Sequence, residues 1–541
     1  METPASMQPQ PNEPSTIAEP GLDPTRERTP RGRILVLLTT VWAVAFIVVG
    51  TWATYWAAQR NDQYQLINLG QCVYEGGRMY VDCWENKPPG IAWINALGIA
   101  LSSGGQLGAW LLPGVTALLC LAGVGYAMAR TISVTASCCS VALASVVYSL
   151  RLYDTPSINP DYYSSMFELA ACSMWFLSLA AERRGPRFLW GLAAGLVWAA
   201  AASCKHTGIV GLLALSVVTI VVIACRRGNY RHWLVSCLWT WIGLALGLGA
   251  VAGVFAYRQT LGPAWEAIFG FNRDLLSWES MSGALRSWSR VWAGLGTIQL
   301  ALWLGLLGAI VTLYTGRASH MARAIVSVML LWWIAQVLGA LTGPSQSMRY
   351  WQATFPPVLL MAGVGIYHLE DTFRQLDKVG RAALTVITVT VIPLLALPLA
   401  EHHRHGLATS YLTYTSDKTE RNRLEVVGQQ IQEAVPDAEP IYVWAYDAGT
   451  YLYANRRPAS RFTYPRSPQQ MHEILADLAA GKARAILVPE HRSHEFDLWC
   501  DEACHQRLSE VLARYEMKTT VGPYNVWARP AEDAPNGGDR P

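Results

Sequence analysis

The chain predicts a mostly α protein: a polytopic transmembrane helical bundle of about eleven spans with a C-terminal extracytoplasmic α/β domain. Three observations carry that prediction. Of 541 residues, 52% are hydrophobic and 15% are charged, whereas soluble chains carry about 25% charged residues. The apolar residues come in blocks of span length rather than in short periodic groups. Trp numbers 23, and indoles suit a membrane interface, where the ring is apolar and its N–H is wet. A net charge of +3 gives no footing for a nucleic-acid partner.

Residues 1–33 are rich in Pro, Glu, Thr and Arg without apolar periodicity, and read as a disordered cytoplasmic tail. The run Ile34–Ala58 is too long for the core of a cleavable signal and is expected to be the first span. Further spans are expected near 108–129, 132–150, 161–181, 188–204, 207–225, 233–257, 296–315, 324–342, 353–368 and 382–400. The transmembrane domain is therefore 34–400.

Charge sets the orientation. Arg26, Arg28, Arg31 and Arg33 precede the first span and place the N-terminus in the cytoplasm. Alternation then puts Arg130, Arg183, Arg226, Arg317 and Arg374 in inner connections, so every inner loop is basic. The outer connections 59–91, 151–160, 258–295 and 343–352 are polar, which points to chemistry on that face. No internal repeat is evident, which argues against a transporter built from two homologous halves.

From 401 to 541 the composition becomes that of a soluble domain. Short strands are expected at Ile441–Trp444, Ala485–Val488 and Tyr524–Ala528, with helices at 422–435, 467–480 and 505–514. An odd number of spans leaves this domain outside the cell. Of 11 cysteines, Cys72, Cys83, Cys500 and Cys504 face that oxidising side, and either pair could close as a disulfide. A zinc set of His494, Cys500, Cys504 and His505 is the other reading, although its spacing is not a standard one.

The first outer loop holds the most chemistry. Asp62 follows the first span closely, so its carboxylate lies at the membrane surface. The apolar stretch 91–103 is too short to span and is expected to lie in the interface. Lys87 precedes Pro88-Pro89-Gly90, a turn that fixes the backbone and breaks any helix. Only six lysines occur in the chain, and Lys87 and Lys205 both fall on the outer side. A compact cation held against a phosphate explains such a lysine; a snorkelling interfacial charge is the plainer reading.

The pattern Asp62, Gly76-Gly77-Arg78-Met79-Tyr80-Val81-Asp82 and Glu85-Asn86-Lys87-Pro88-Pro89-Gly90 resembles the bacterial family-39-like glycosyltransferases. These belong to the polytopic glycosyltransferase C superfamily, with the protein O-mannosyltransferases and the aminoarabinose transferases of lipid A. The stretches Gly191–Gly195, Lys205–Gly208 and Arg349–Pro357 extend the likeness along most of the chain. The resemblance implies many helices, with two interfacial helices in the first outer loop, and a donor sugar carried on a polyprenyl phosphate. Matched by position, it implies that Asp62 is the catalytic carboxylate and that Lys87 contacts the lipid phosphate. Relatives often have Asp-Glu where this chain has Asp62-Gln63, and often a His where it has Arg349.

The chemistry agrees. A departing phosphate needs no general acid; it needs a base at the acceptor hydroxyl and fixed positive charge around the phosphate. Asp62 can be the base, with back-side attack inverting the anomeric carbon. Lys87 and Arg349, together with Lys205, can supply the charge. Asp161 has three readings: positioning the acceptor, helping to hold a divalent cation, or serving as a helix N-terminal charge. Glu168 either takes part there or is paired inside the bundle. Asp82 and Glu85 either orient Lys87 or touch substrate. The aromatic segment 258–295, with Trp265, Phe269, Phe271, Trp278, Trp288 and Trp292, either stacks on sugars or anchors the interface. The expected partners are the lipid-linked donor, a lipid, glycan or protein acceptor, and membrane lipids. A flippase for a lipid-linked sugar and a non-catalytic envelope scaffold are the alternatives.

Overall fold

The computed structural model describes residues 30–56, 61–149, 157–225, 230–275, parts of 303–314, 320–341, 348–375, 422–435, 439–490 and 500–530. Most of the tail 1–33, the loop residues 151–156, the span expected at 382–400 and residues 401–421 lie outside them.

The chain opens with α1 (Pro30–Trp56), α2 (Asn61–Tyr74), α3 (Gly90–Leu101), α4 (Leu107–Thr131) and α5 (Val134–Val147). It continues through α6 (Pro160–Ala180), α7 (Arg184–Cys204), α8 (Val210–Ala224) and α9 (Tyr230–Tyr257). Helices His320–Leu341 and Phe355–Gln375 complete the bundle among the described residues. Among the described residues, six helices are long and apolar enough to cross a membrane: Gly32–Trp52, α4, α7, His206–Ala224, α9 and Ala322–Ala340. Their outer faces carry bare apolar side chains, such as Leu119 at 70% exposure, Val49 and Ile220, as lipid-facing helices must. α5 is apolar but only 14 residues long, and α6 carries Asp161 and Glu168.

Small residues bring the helices together. Gly191 and Gly195 stand four apart on α7, and a Cβ on Gly195 would come within 2.0 Å of the Thr240 carbonyl on α9. Gly243 on α9 answers it, with the Leu192 carbonyl 2.3 Å from where its Cβ would be. Close backbone approach is how helices gain packing where lipid removes the hydrophobic drive. α6 is buried along nearly its whole length, so its polar groups need internal partners. Glu168 accepts from Gln336 Nε2 at 3.1 Å, inside the bundle.

Between the first long helix and α4 the chain forms two shorter helices, α2 and α3. A Cβ on Gly70 would lie 2.5 Å from Asn95 Cβ, and Asn95 Nδ2 donates to the Leu66 carbonyl at 2.9 Å.

The C-terminal domain is a four-stranded sheet in the order β1-β2-β4-β3, with β1 Ile441–Val443, β2 Ala485–Pro489, β3 Glu516–Val521 and β4 Tyr524–Ala528. β1 and β2 run parallel, with Ile441 opposite Ala485, and the remaining pairs are antiparallel. Alternation places Tyr442 and Ile486 in the core under helices Pro468–Ala479 and Glu502–Leu512. Ile441, Val443 and Leu487 face the other core, with Val427 and Ile431 of the helical residues 422–434. Ser467 caps Pro468–Ala479 by accepting from the Gln470 N–H. The three strands expected from sequence are present. β3 was not expected, because all but one of its residues are exposed on the sheet edge and no apolar alternation marks it.

Candidate active site

The loop between α2 and α3 is closed by a Cys72–Cys83 disulfide. Tyr80 sits there at φ 72°, a conformation imposed on a bulky residue only by its surroundings. Its N–H donates to the Cys83 carbonyl at 2.6 Å and its hydroxyl to the Lys87 carbonyl at 2.8 Å. Gly90 opens α3 against the end of α7: a Cβ there would lie 2.7 Å from the Ser203 backbone. Gly90, at the end of the Lys87 turn, thus sits against Ser203, two positions before Lys205 in the chain.

Asp62 occupies the first turn of α2, where helix N–H groups favour a carboxylate. It accepts a hydrogen bond from the hydroxyl of Tyr446 in the C-terminal domain. Tyr446 packs on Tyr464 with ring centroids 4.3 Å apart, and the Arg466 guanidinium lies 5.2 Å from the Tyr464 centroid. Arg466 Nη1 donates to Asn86 Oδ1 at 2.7 Å and pairs with Glu85 Oε1 at 3.4 Å. The same Glu85 oxygen takes Lys87 Nζ at 2.9 Å. An unbroken series of contacts thus runs from Asp62 through the C-terminal domain to Lys87.

The charges in this series are strongly coupled. Glu85 is 1% exposed. Burial opposes its ionisation, but Arg466 and Lys87 outweigh that and hold its carboxyl below the usual range. Burial likewise opposes the charge on Arg466, which Glu85, Tyr464 and Asp62 restore, so its pKa lies above the ordinary arginine value. The Tyr446 hydroxyl is pushed up, first by burial and then by the Asp62 charge it faces. It therefore stays a donor.

Of the two carboxylates expected beside Lys87, only Glu85 meets it. Asp82 is 41% exposed and pairs with Arg78 at 3.1 Å. Asp161, the first acidic residue of α6 after the Asn159 cap, forms an ion pair with Lys205. Arg349 lies on the 3-10 helix Met348–Thr354, and its side chain is outside the described residues. Part of the segment 258–295 reaches the site. Asn272 Nδ2 donates to the Asn86 carbonyl at 2.7 Å, and Phe271 packs edge-on against Trp84. Trp278, Trp288 and Trp292 lie outside the described residues.

The zinc reading is corrected: Cys500 and Cys504 form a disulfide, which removes both thiolates that a metal would need, and His494 lies outside the described residues. A divalent cation at Asp161 does not fit its surroundings either. The carboxylate is taken by a lysine, and among the described residues no group of three His, Cys, Asp or Glu is brought together.

Three comparisons bear on this arrangement. A family profile described as dolichyl-phosphate-mannose-protein mannosyltransferase matches residues 86–257. Comparison with curated protein sequences finds no match. The crystal structure of ArnT from Cupriavidus metallidurans bound to undecaprenyl phosphate is similar at TM-score 0.55 and 14% identity, over 92% of this chain and 98% of that one. The chain shares the fold of that ArnT. The apo state of the same ArnT gives TM-score 0.54 at 15% identity, over 91% and 98%. An Archaeoglobus fulgidus oligosaccharyltransferase tethered to an acceptor peptide gives 0.50 at 11%, over 95% and 76%. That shared fold covers the polytopic bundle, the two helices α2 and α3 and the separate C-terminal domain together.

Tyr446, Tyr464 and Arg466 were not legible as site residues in the sequence. Tyr446 lies just beyond the C-terminal end of β1, the position where α/β sheets commonly bind ligands. That placement was the one available signal.

Proposed function

We propose that this protein is an integral membrane glycosyltransferase that moves a sugar from a polyprenyl-phosphate donor to a lipid, glycan or protein acceptor on the extracytoplasmic face. The observation that carries the reading is the convergence of Asp62 with the Lys87–Glu85–Arg466 cluster. A carboxylate able to act as base and fixed cations able to face a phosphate are what the reaction needs.

In the reaction, the acceptor oxygen attacks the anomeric carbon from the side opposite the phosphate. Asp62 takes the hydroxyl proton as the new C–O bond forms. The bond to the phosphate oxygen breaks, and its electron pair leaves with the polyprenyl phosphate. Lys87 faces the departing charge, with Arg349 and the Lys205–Asp161 pair on neighbouring outer segments. One displacement of this kind inverts the anomeric centre. Asp161 positions the acceptor side, and Glu85 orients Lys87.

The same reading sets the topology. It takes 1–33 as a cytoplasmic tail, 34–400 as about eleven spans and 401–541 as the extracytoplasmic domain. Basic inner connections support that orientation.

The test is transfer of radiolabelled sugar from polyprenyl-phosphate donors to envelope fractions by wild type, Asp62→Asn and Lys87→Ala. Label in an acceptor with wild type only, with inverted product stereochemistry, supports the proposal. Equal transfer in all three, or retention of configuration, overturns the mechanism. No transfer by wild type from any donor overturns the activity.

A further inference from the structure

We propose that Arg466, from the C-terminal domain, is a second phosphate-binding cation for the lipid-linked donor, so that the donor site is completed only when that domain is docked. The inference rests on the glycosyltransferase reading above and adds a residue to it.

The first argument is charge. Lys87 alone is neutralised by Glu85, since the two are 2.9 Å apart, and such a pair has little left to offer an anion. Glu85 Oε1 is shared with Arg466 Nη1 at 3.4 Å. Two cations on one carboxylate leave one positive charge to balance Asp62, which also acts on Arg466. Without Arg466 the site would be net negative and would repel a phosphate.

The second argument is valence. The Arg466 side chain is 17% exposed. Nη1 is engaged by Asn86 and Nη2 reaches Gln65 Oε1 only at 3.4 Å. Nε is buried without a hydrogen-bond acceptor among the described residues. A guanidinium presents a planar fork of donors suited to phosphate oxygens, and here part of that fork is unspent.

The third argument is that docking does not rest on Arg466 alone. The domain is already held to the first outer loop elsewhere. Arg461 Nη1 donates to the Tyr80 carbonyl at 3.0 Å. Arg457 pairs with Glu75 at 2.5 Å. Asn68 Nδ2 donates to the Ala448 carbonyl at 2.8 Å, and Trp84 packs on Phe462. Burying a further arginine is costly unless its charge is used.

The experiment measures binding of undecaprenyl phosphate and of undecaprenol, which lacks the phosphate, to the full-length protein in nanodiscs. Wild type should prefer the phosphate. Arg466→Gln should lower that preference roughly 10- to 100-fold, the range for a lost hydrogen bond to a charged group. Arg466→Lys should fall between the two. Arg461→Ala, which cuts a docking contact instead, should keep the preference.

Loss of affinity for both lipids alike in Arg466→Gln, or an unchanged preference, would overturn the inference and leave the glycosyltransferase reading standing. No phosphate preference in wild type would sink that reading itself. If Arg466→Gln does not assemble, wild type decides the matter through arginine modification by phenylglyoxal. Protection of Arg466 by undecaprenyl phosphate but not by undecaprenol supports the assignment, and equal labelling with both overturns it.

Discussion

The hydroxyl of Tyr446 donates to the carboxylate of Asp62, across 384 residues of chain and between two domains. The contact keeps the acid of α2 in one orientation. It also sets the phenol that packs against Tyr464 directly against the proposed base. The series of contacts from Asp62 to the Lys87 cluster passes through this side of the C-terminal domain.

Asp62→Asn should abolish most turnover, by about 10²- to 10⁴-fold if the carboxylate is a general base. The amide oxygen can still accept from Tyr446, so thermal stability in nanodiscs should be unchanged. A large fall in melting temperature with a proportionate loss of activity would instead mark Asp62 as structural.

The pH dependence of domain docking follows from Glu85. Its carboxyl is held below the usual value: burial pushes it up, and Arg466 and Lys87 push it further down. A depressed carboxyl contributes stability above its unfolded value of about 4.3. It loses that contribution as pH falls through the folded value. Docking, followed by limited proteolysis, should therefore survive to below about pH 4.3 in wild type. In Arg466→Gln the release midpoint should move to higher pH, because burial is then less opposed. An unmoved midpoint would show that Glu85 does not govern docking.

Reduction should loosen the loop between α2 and α3. The Cys72–Cys83 bridge closes a sequence separation of 11, for which loop-closure entropy gives about 3 kcal/mol. Paired Cys72→Ser and Cys83→Ser substitutions should lower the melting temperature and make wild type and variant alike in dithiothreitol. A variant as stable as oxidised wild type would refute this.

Gly195→Leu should disrupt the bundle. Even a Cβ at this position would meet the Thr240 carbonyl at 2.0 Å, so α7 and α9 must separate. Overpacking of this kind costs about 1–3 kcal/mol or more. Gly249, on α9, has nothing within 4 Å of its Cβ position among the described residues, and Gly249→Ala should be silent. Thermal unfolding of the two variants side by side makes the comparison.

Much of the fold was legible before any tertiary structure. Helix α7 and the stretch leading into α8 fall where a length and hydropathy rule puts them, because spanning a bilayer is a local requirement on about 20 residues. β1, β2 and β4 were legible because each buries apolar side chains. β3 was not, because an exposed edge strand leaves no such mark.

The position of Asp62 at a span end, the scarcity of lysine around Lys87 and the breaking turn at Pro88-Pro89-Gly90 were properties of the sequence by itself. They named one loop as the place for chemistry. Only the tertiary structure decided which groups meet there: that Glu85 takes Lys87 while Asp82 turns out to Arg78, that Lys205 goes to Asp161, and that Tyr446 and Arg466 arrive from the far end of the chain. Span length, strand alternation and turn chemistry act over a few residues. Ion pairing depends on distances that packing alone sets, and residues nearly 400 positions apart carry no local trace of their contact.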